Sequence, residues 1–191
     1  MKRFYAGIGS RETPADVAEK MVKIGKILGE RGYILRSGGA EGADLAFEKG
    51  ADAASETLGV QITKEIILPW SGYNGHHRDR GVVLIAREPS AGAMLLASLI
   101  HPAWGGLNIG SRKMHARNIY QILGVDLDAP CDFVVCWTKD GVESAAATSA
   151  NTGGTGQAIR TASLAGIPVF NMKRDDALVR LASFTGMNLS V

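Results

Sequence analysis

Short apolar runs alternate along this chain with longer segments in which apolar positions recur every three or four residues. Phe4 to Gly7 is the first such run, and it breaks into Gly9, Ser10 and Arg11. Pro14 then suits the first turn of a helix, where a missing amide proton is no loss. Val17, Met21, Ile24 and Leu28 repeat at helical spacing through Arg31, and Gly32 stops them. Tyr33 to Leu35 begins a second strand, and the turn Ser37 to Gly42 follows. Ala43, Phe47, Gly50, Ala51 and Ala54 then line one face of a small-residue helix that can pack close to a sheet.

The same alternation predicts a third strand at Ile66 to Leu68, ended by Pro69 and followed by a polar loop over 70–80. Helical spacing returns over 90–100 and 111–123, around a Pro/Gly-rich connection at 101–110. Phe133 to Trp137 is a fourth strand, Gln157 to Leu164 a helix, Ile167 to Phe170 the last strand and Asp175 to Ser183 a closing helix. The intervening 138–155, rich in Ala, Ser, Thr and Gly, is long for a connection and reads as a mobile flap. Strands alternating with helices predict an α/β protein: a doubly wound, mainly parallel sheet with helices on both faces, in one domain over 1–191.

Composition narrows the function classes. The 191 residues are 46% hydrophobic and 21% charged, as expected of a globular domain able to bury a core. A net charge of +2 excludes a broadly basic nucleic-acid binder and confines any polyanion binding to a local patch. Cys131 and Cys136 would face opposite sides of an extended strand roughly 16 Å apart, out of disulfide or chelating reach, so both read as buried free thiols. The longest apolar run, Ala91 to Ile100, falls well short of the roughly 20 residues that span a bilayer. No leader peptide is expected, and the reading places the protein in the cytoplasm with no membrane contact.

Candidate chemistry gathers at three glycine-bearing loops: Gly9, Ser10 and Arg11; Ser37, Gly38, Gly39 and Gly42; and Thr152, Gly153, Gly154, Thr155, Gly156 and Gln157. Loops without side chains let backbone amides crowd an anion where the next helix points its positive end. The hydroxyl of Ser37 and the side chains of Thr155 and Gln157 would add donors. On strands of one parallel sheet, these loops meet at its carboxyl edge. Asp44 lies in a helix's first turn, where a carboxylate favours the dipole. As a ligand group it would accept from a ribose hydroxyl or base amine.

Lys113 and Arg117 stand four apart on a helix face, beside a strip carrying Asn118 and Gln121. Arg11, Arg78 and Arg160 are further guanidinium candidates for phosphate. Trp70 and Tyr73, near His76, His77 and Arg78, could stack a base. The adjacent histidines lack the spacing of a metal pair, so no metal and no cofactor are expected.

The run Ser37-Gly38-Gly39-Ala40-Glu41-Gly42-Ala43-Asp44 resembles the Ser-Gly-Gly-Ala-x-Gly-x-Asp motif of the DprA/Smf proteins, and Arg117-Asn118 resembles that family's Arg-Asn helix. Thr152-Gly153-Gly154-Thr155-Gly156 is similar to the Pro-Gly-Gly-x-Gly-Thr loop of the LOG proteins. Together the motifs resemble the SLOG superfamily, closest to a minimal DprA-like domain. The resemblance implies a Rossmann-like fold, a nucleotide or nucleic-acid phosphate at the carboxyl ends of the strands, and a homodimer or higher homo-oligomer.

Three functions follow from the residues and the resemblance. The preferred one is binding of a nucleotide or nucleotide-derived small molecule, to sense or sequester it. A second is DprA-like binding of single-stranded DNA in recombination. A third is a LOG-like phosphoribohydrolase that cleaves the N-glycosidic bond of a nucleoside monophosphate. The LOG family's glutamates after the glycine loop are here Ile159 and Arg160, so Glu143 or Asp44 would have to substitute. A binding protein is therefore favoured over an enzyme.

Overall fold

Successive residues of the first strand enter opposite cores, as they must in a sheet covered on both sides. Tyr5 packs into one cluster, while Ala6 and Ile8 pack into another. The computed structural model describes residues 2–76 and 88–190. Its strands are β1 (Arg3–Gly9), β2 (Tyr33–Ser37), β3 (Lys64–Ile66), β4 (Phe133–Trp137) and β5 (Val169–Asn171). They form one all-parallel sheet in the order β3-β2-β1-β4-β5. The helices are α1 (Ala15–Glu30), α2 (Ala43–Leu58), α3 (Ala91–Ile100), α4 (Ile109–Leu123), α5 (Thr155–Leu164) and α6 (Ala177–Thr185).

On one face, Tyr5, Leu35, Phe133 and Val135 meet Met21, Ile24 and Leu28 of α1, Phe47 and Ala51 of α2 and Leu181 of α6. On the other, Ile8, Val134 and Cys136 meet Ile122 of α4 and Ala158, Ile159 and Ala162 of α5. Ala93 and Ala97 of α3 pack outside these, against Ala116, Ile119 and Tyr120 of α4. Ser90 and Asn108 cap α3 and α4 by accepting the amides of Ala93 (3.2 Å) and Ser111 (2.8 Å). No described helix is long and apolar enough to cross a membrane.

The glycines of α1 and α2 set how closely these helices approach. A Cβ at Gly50 would stand 2.4 Å from the carbonyl oxygen of Val22 and 2.9 Å from the amide nitrogen of Lys26. Gly50→Ala is therefore expected to lower stability by about 2 kcal/mol in urea unfolding. A loss below about 0.5 kcal/mol, within the range of a neutral surface change, would show that the helices separate freely.

Two expectations shift. The third strand lies at Lys64–Ile66 rather than 66–68, because Leu35, Arg36 and Ser37 pair with Lys64, Glu65 and Ile66. Charge hid it: Lys64 is buried against Glu48 (3.0 Å) and Asp52 (2.7 Å), and Glu65 holds Arg36 at 2.6 Å. Cys131 precedes β4, so the alternation argument does not reach it. Both thiols are free and buried, in the same core cluster.

The segment 138–155 holds two 3-10 turns, Ala145–Ala147 and Ala150–Thr152. Thr138 and Thr152 both donate to Asp140, at 2.8 and 2.6 Å, and tie the segment to the end of β4.

Candidate functional site

Strand order reverses between β1 and β4, and the connections leave their carboxyl ends in opposite directions. A crevice is the geometric consequence. There the structure has a cavity of about 430 Å³, walled by the β1 loop, the β2 loop, α4 and the loop leading into α5. All three glycine-bearing loops thus contribute to one hollow, although several of their residues do other work.

Asp44 joins two of the loops. One carboxylate oxygen accepts the amide of Gly9 at 3.1 Å, and the other accepts those of Gly38 (3.1 Å) and Ala40 (3.4 Å). The amide of Ala43 also donates to the carbonyl of Ser10 at 3.3 Å. The chain can close this far only because Gly42 is bare: a Cβ there would lie 2.4 Å from the Ser10 oxygen, and its φ is +75°. Burial pushes the Asp44 carboxyl up to about 6, against the opposing pull of Arg117 and the three amides.

These contacts correct part of the expected phosphate cradle. The amides of Gly9 and Gly38 serve Asp44, so neither is free for an anion. The hydroxyl of Ser37 donates to the carbonyl of Gly7 at 2.7 Å and stitches β2 to β1. Gly39 has φ +63°, and a Cβ there would meet Leu68 at 2.8 Å and His76 at 2.9 Å. Its carbonyl accepts from the side-chain amide of Asn74 at 2.9 Å. Gln157 is fully buried and donates to the carbonyl of Ala97 at 3.2 Å. Gly156 packs against Thr152, where a Cβ would stand 3.3 Å from its methyl carbon.

The remaining groups do face the cavity: Ser10, Arg11, Tyr73, Arg117, Asn118, Gln121, Thr152, Gly153, Gly154 and Thr155 line it together with Asp44. Arg117 is the most unusual of them. Its side chain lies over Gly38, where a Cβ would stand 1.3 Å from Nη1. It is 5% exposed, yet Nε and Nη1 have no hydrogen-bond partner among the described residues. Asp44 stands 3.8 Å from Nη1, close enough to attract it and too far to accept a hydrogen bond. Burial pulls the guanidinium below its ordinary pKa, while Asp44 and Tyr73 pull the other way. Arg11 donates to the Tyr73 hydroxyl at 3.0 Å.

Across the cavity, α5 begins at Thr155, and the amides of Gly154 and Thr155 have no partner among the described residues. Asn118 donates to the Gly154 carbonyl at 3.0 Å and holds this loop against α4. A Cβ at Gly154 would meet nothing within 4 Å.

Other candidates are engaged elsewhere. Lys113 pairs with Glu88 at 2.5 Å, and Arg160 donates to the hydroxyl of Thr148 at 2.8 Å. Trp70 stands edge-on to Tyr73, with ring centroids 5.3 Å apart. Arg78 and His77 lie outside the described residues. Glu143 accepts the amide of Asn171 and a nitrogen of Arg180, both at 2.7 Å, behind the sheet edge. Among the described residues, no three His, Cys, Asp or Glu side chains cluster as metal ligands. Sequence reasoning missed His115, which lines the cavity three residues before Asn118; that spacing on one helix face was the available signal.

The fold and its cleft define the class: a doubly wound, Rossmann-like α/β protein with a pocket of mixed polar and apolar lining at the topological switch point. No protein-family profile and no curated protein matches the chain. Among solved structures it is similar to DNA processing protein A from Helicobacter pylori, a structure concerned with its single-stranded DNA binding mode. The TM-score is 0.53 at 17% identity, over 98% of this chain and 74% of that one. It is also similar to the Moco carrier protein of Chlamydomonas rheinhardtii, with a TM-score of 0.51 at 16% identity, over 97% of this chain and 86% of that one. At these identities the likeness is one of fold.

Proposed function

We propose that the cleft binds a nucleotide or nucleotide-derived ligand and that the protein senses or sequesters it. The ligand's phosphate would lie between Arg117 and the amides of Gly154 and Thr155. The observation that carries this reading is the buried guanidinium of Arg117 with donors that the described residues leave unmatched. Unmade hydrogen bonds on a buried cation are expensive, and an anion beside the guanidinium offsets the cost of burying its charge. The start of α5 faces the same space and adds its dipole and two free amides. Asn118, Gln121 and Tyr73 on the same wall supply polar edges and an aromatic ring for a sugar or base. The motif resemblance to the SLOG superfamily points the same way.

Binding is favoured over turnover because the two carboxylates that would have to replace the LOG family's glutamates are both engaged. Ile159 belongs to the core, Glu143 is committed to Asn171 and Arg180, and both oxygens of Asp44 hold loop amides. Calorimetric titration with nucleoside mono-, di- and cyclic phosphates, ADP-ribose and a short single-stranded oligonucleotide tests the proposal. A saturable response to a free nucleotide is expected. Silence towards every free nucleotide overturns it, and a response to the oligonucleotide alone transfers the cleft to nucleic acid.

Gly154→Leu provides the matching variant, because φ at this position is −61° and the space around it is open. It should fold normally and lose at least about tenfold in affinity, roughly 1.4 kcal/mol. Unchanged affinity in the folded variant would remove the α5 loop from the site. Gly39 cannot serve for this test, since its positive φ and close neighbours would make any loss of binding a loss of structure.

A further inference from the structure

His115 occupies the wall of the cleft on α4, half-buried, and its Nδ1 is buried with no partner among the described residues. Its ring packs against that of His101, at the end of α3, with centroids 4.3 Å apart. His101 in turn accepts the amide of Ala103 at its own Nδ1, at 3.1 Å, which leaves any proton on its other nitrogen. Among the described residues, the charged groups facing His115 are His101 from the α3 end, Arg160 from α5 and Arg117 from α4 itself. All are neutral or positive. Burial first, and then these neighbours, hold the His115 imidazole down at about 4, so it is neutral at pH 7.

An anion in the cleft would reverse that local field. It would offset the repulsion from Arg117 and Arg160 and favour the protonated imidazole on the cleft wall. We propose that this cleft binds an anionic ligand more tightly when His115 carries a proton, so that in acid a phosphate-like group is gripped by imidazolium as well as by Arg117. The inference rests on the reading that the cleft holds an anionic ligand, and it adds how that group is recognised. Its consequence is a linkage. Because His115 holds a proton more tightly in the liganded protein, affinity rises as pH falls through the liganded midpoint and levels off below the free one. The slope is at most roughly tenfold per pH unit. Asp44 and Glu12 also line the cleft, and loss of the Asp44 charge in acid favours anions too, so the readout must be His115 itself.

The experiment is nuclear magnetic resonance of the histidine side chains in the isotopically labelled full chain, titrated in pH without anion, with sulfate and with adenosine 5′-monophosphate. Sulfate keeps its double charge through the range, whereas a phosphate monoester changes its own. The His115 midpoint is expected to rise by about one pH unit or more with either anion, a tenfold or greater change in proton affinity. At a pH between the two midpoints, calorimetry in buffers of different ionisation enthalpy should show uptake of part of a proton on binding, which His115→Asn abolishes.

If a nucleotide binds and the His115 midpoint stays still, this proposal falls while the nucleotide reading stands. If sulfate moves His115 and no nucleotide binds, the reverse holds. Undiminished proton uptake in a folded His115→Asn variant overturns the proposal, as does binding of neither anion, while the nucleotide reading stands or falls on the full nucleotide panel.

Discussion

Asp44→Ala is expected to lower the unfolding free energy by about 3–5 kcal/mol at pH 7. The substitution leaves the amides of Gly9, Gly38 and Ala40 without their acceptor and leaves Arg117 as a buried cation with no counter-charge. Each unpaired buried amide alone is worth about 1–3 kcal/mol. Urea unfolding measures the loss, and a change below about 1 kcal/mol, no more than a single ordinary hydrogen bond, would show that water replaces the carboxylate at the loop junction.

The pH dependence of stability provides a second signature of the same residue. In the folded protein Asp44 keeps its proton up to about pH 6, whereas in the unfolded chain it loses it near roughly pH 4. Between those values the native state binds more protons. The increment of stability that comes from this raised pKa is therefore fully present below roughly pH 4 and is lost as pH rises through about 6, while the amide hydrogen bonds that Asp44 accepts persist at pH 7. Two pH units correspond to roughly 3 kcal/mol. Asp44→Ala should flatten that part of the stability profile as well as lower it.

Arg117→Met is expected to weaken nucleotide binding by at least about 100-fold, roughly 2.7 kcal/mol, while leaving the melting temperature unchanged or higher. The reason for the split lies in the unmatched Nε and Nη1 donors. They make no hydrogen bond among the described residues that offsets burying the charge, so a methionine of similar reach relieves that penalty and gives up only the 3.8 Å attraction to Asp44. Asp44 loses its counter-charge in the variant, so its carboxyl titrates higher still. Arg117→Lys separates charge from geometry: an ammonium restores part of the attraction but cannot present the planar fork to a phosphate. Affinity within threefold of the parent protein in folded Arg117→Met would remove this residue from the ligand.

Much of the architecture was legible because local signals agreed with one another. Apolar runs at Phe133 to Trp137, helical spacing from Val17 to Leu28, and the glycines between strand and helix all point to parallel crossover units, which the sheet then displays. The third strand was obscured because its residues are charged. Their partners, Arg36, Glu48 and Asp52, come from other elements, so nothing local marks Lys64 and Glu65 as strand.

The site divides along the same line. That glycine-rich turns stand before helices is a local property, as is the helix that carries Arg117, Asn118 and Gln121, and pattern and residue type sufficed to find them. Which donors remain free is a property of contacts between elements remote in sequence. Asp44 reaches across to Gly9, Ser37 turns to Gly7, Gln157 turns to Ala97, and Lys113 pairs with Glu88. The sequence by itself therefore determined the order of crossover units and the edge where their loops converge, because helix and strand periodicity and glycine turns act over a few residues. Only the tertiary structure decided that the first glycine loop closes on a buried carboxylate and that Arg117 and the start of α5 face the cleft. Hydrogen-bond partners and desolvation depend on which distant groups packing brings together.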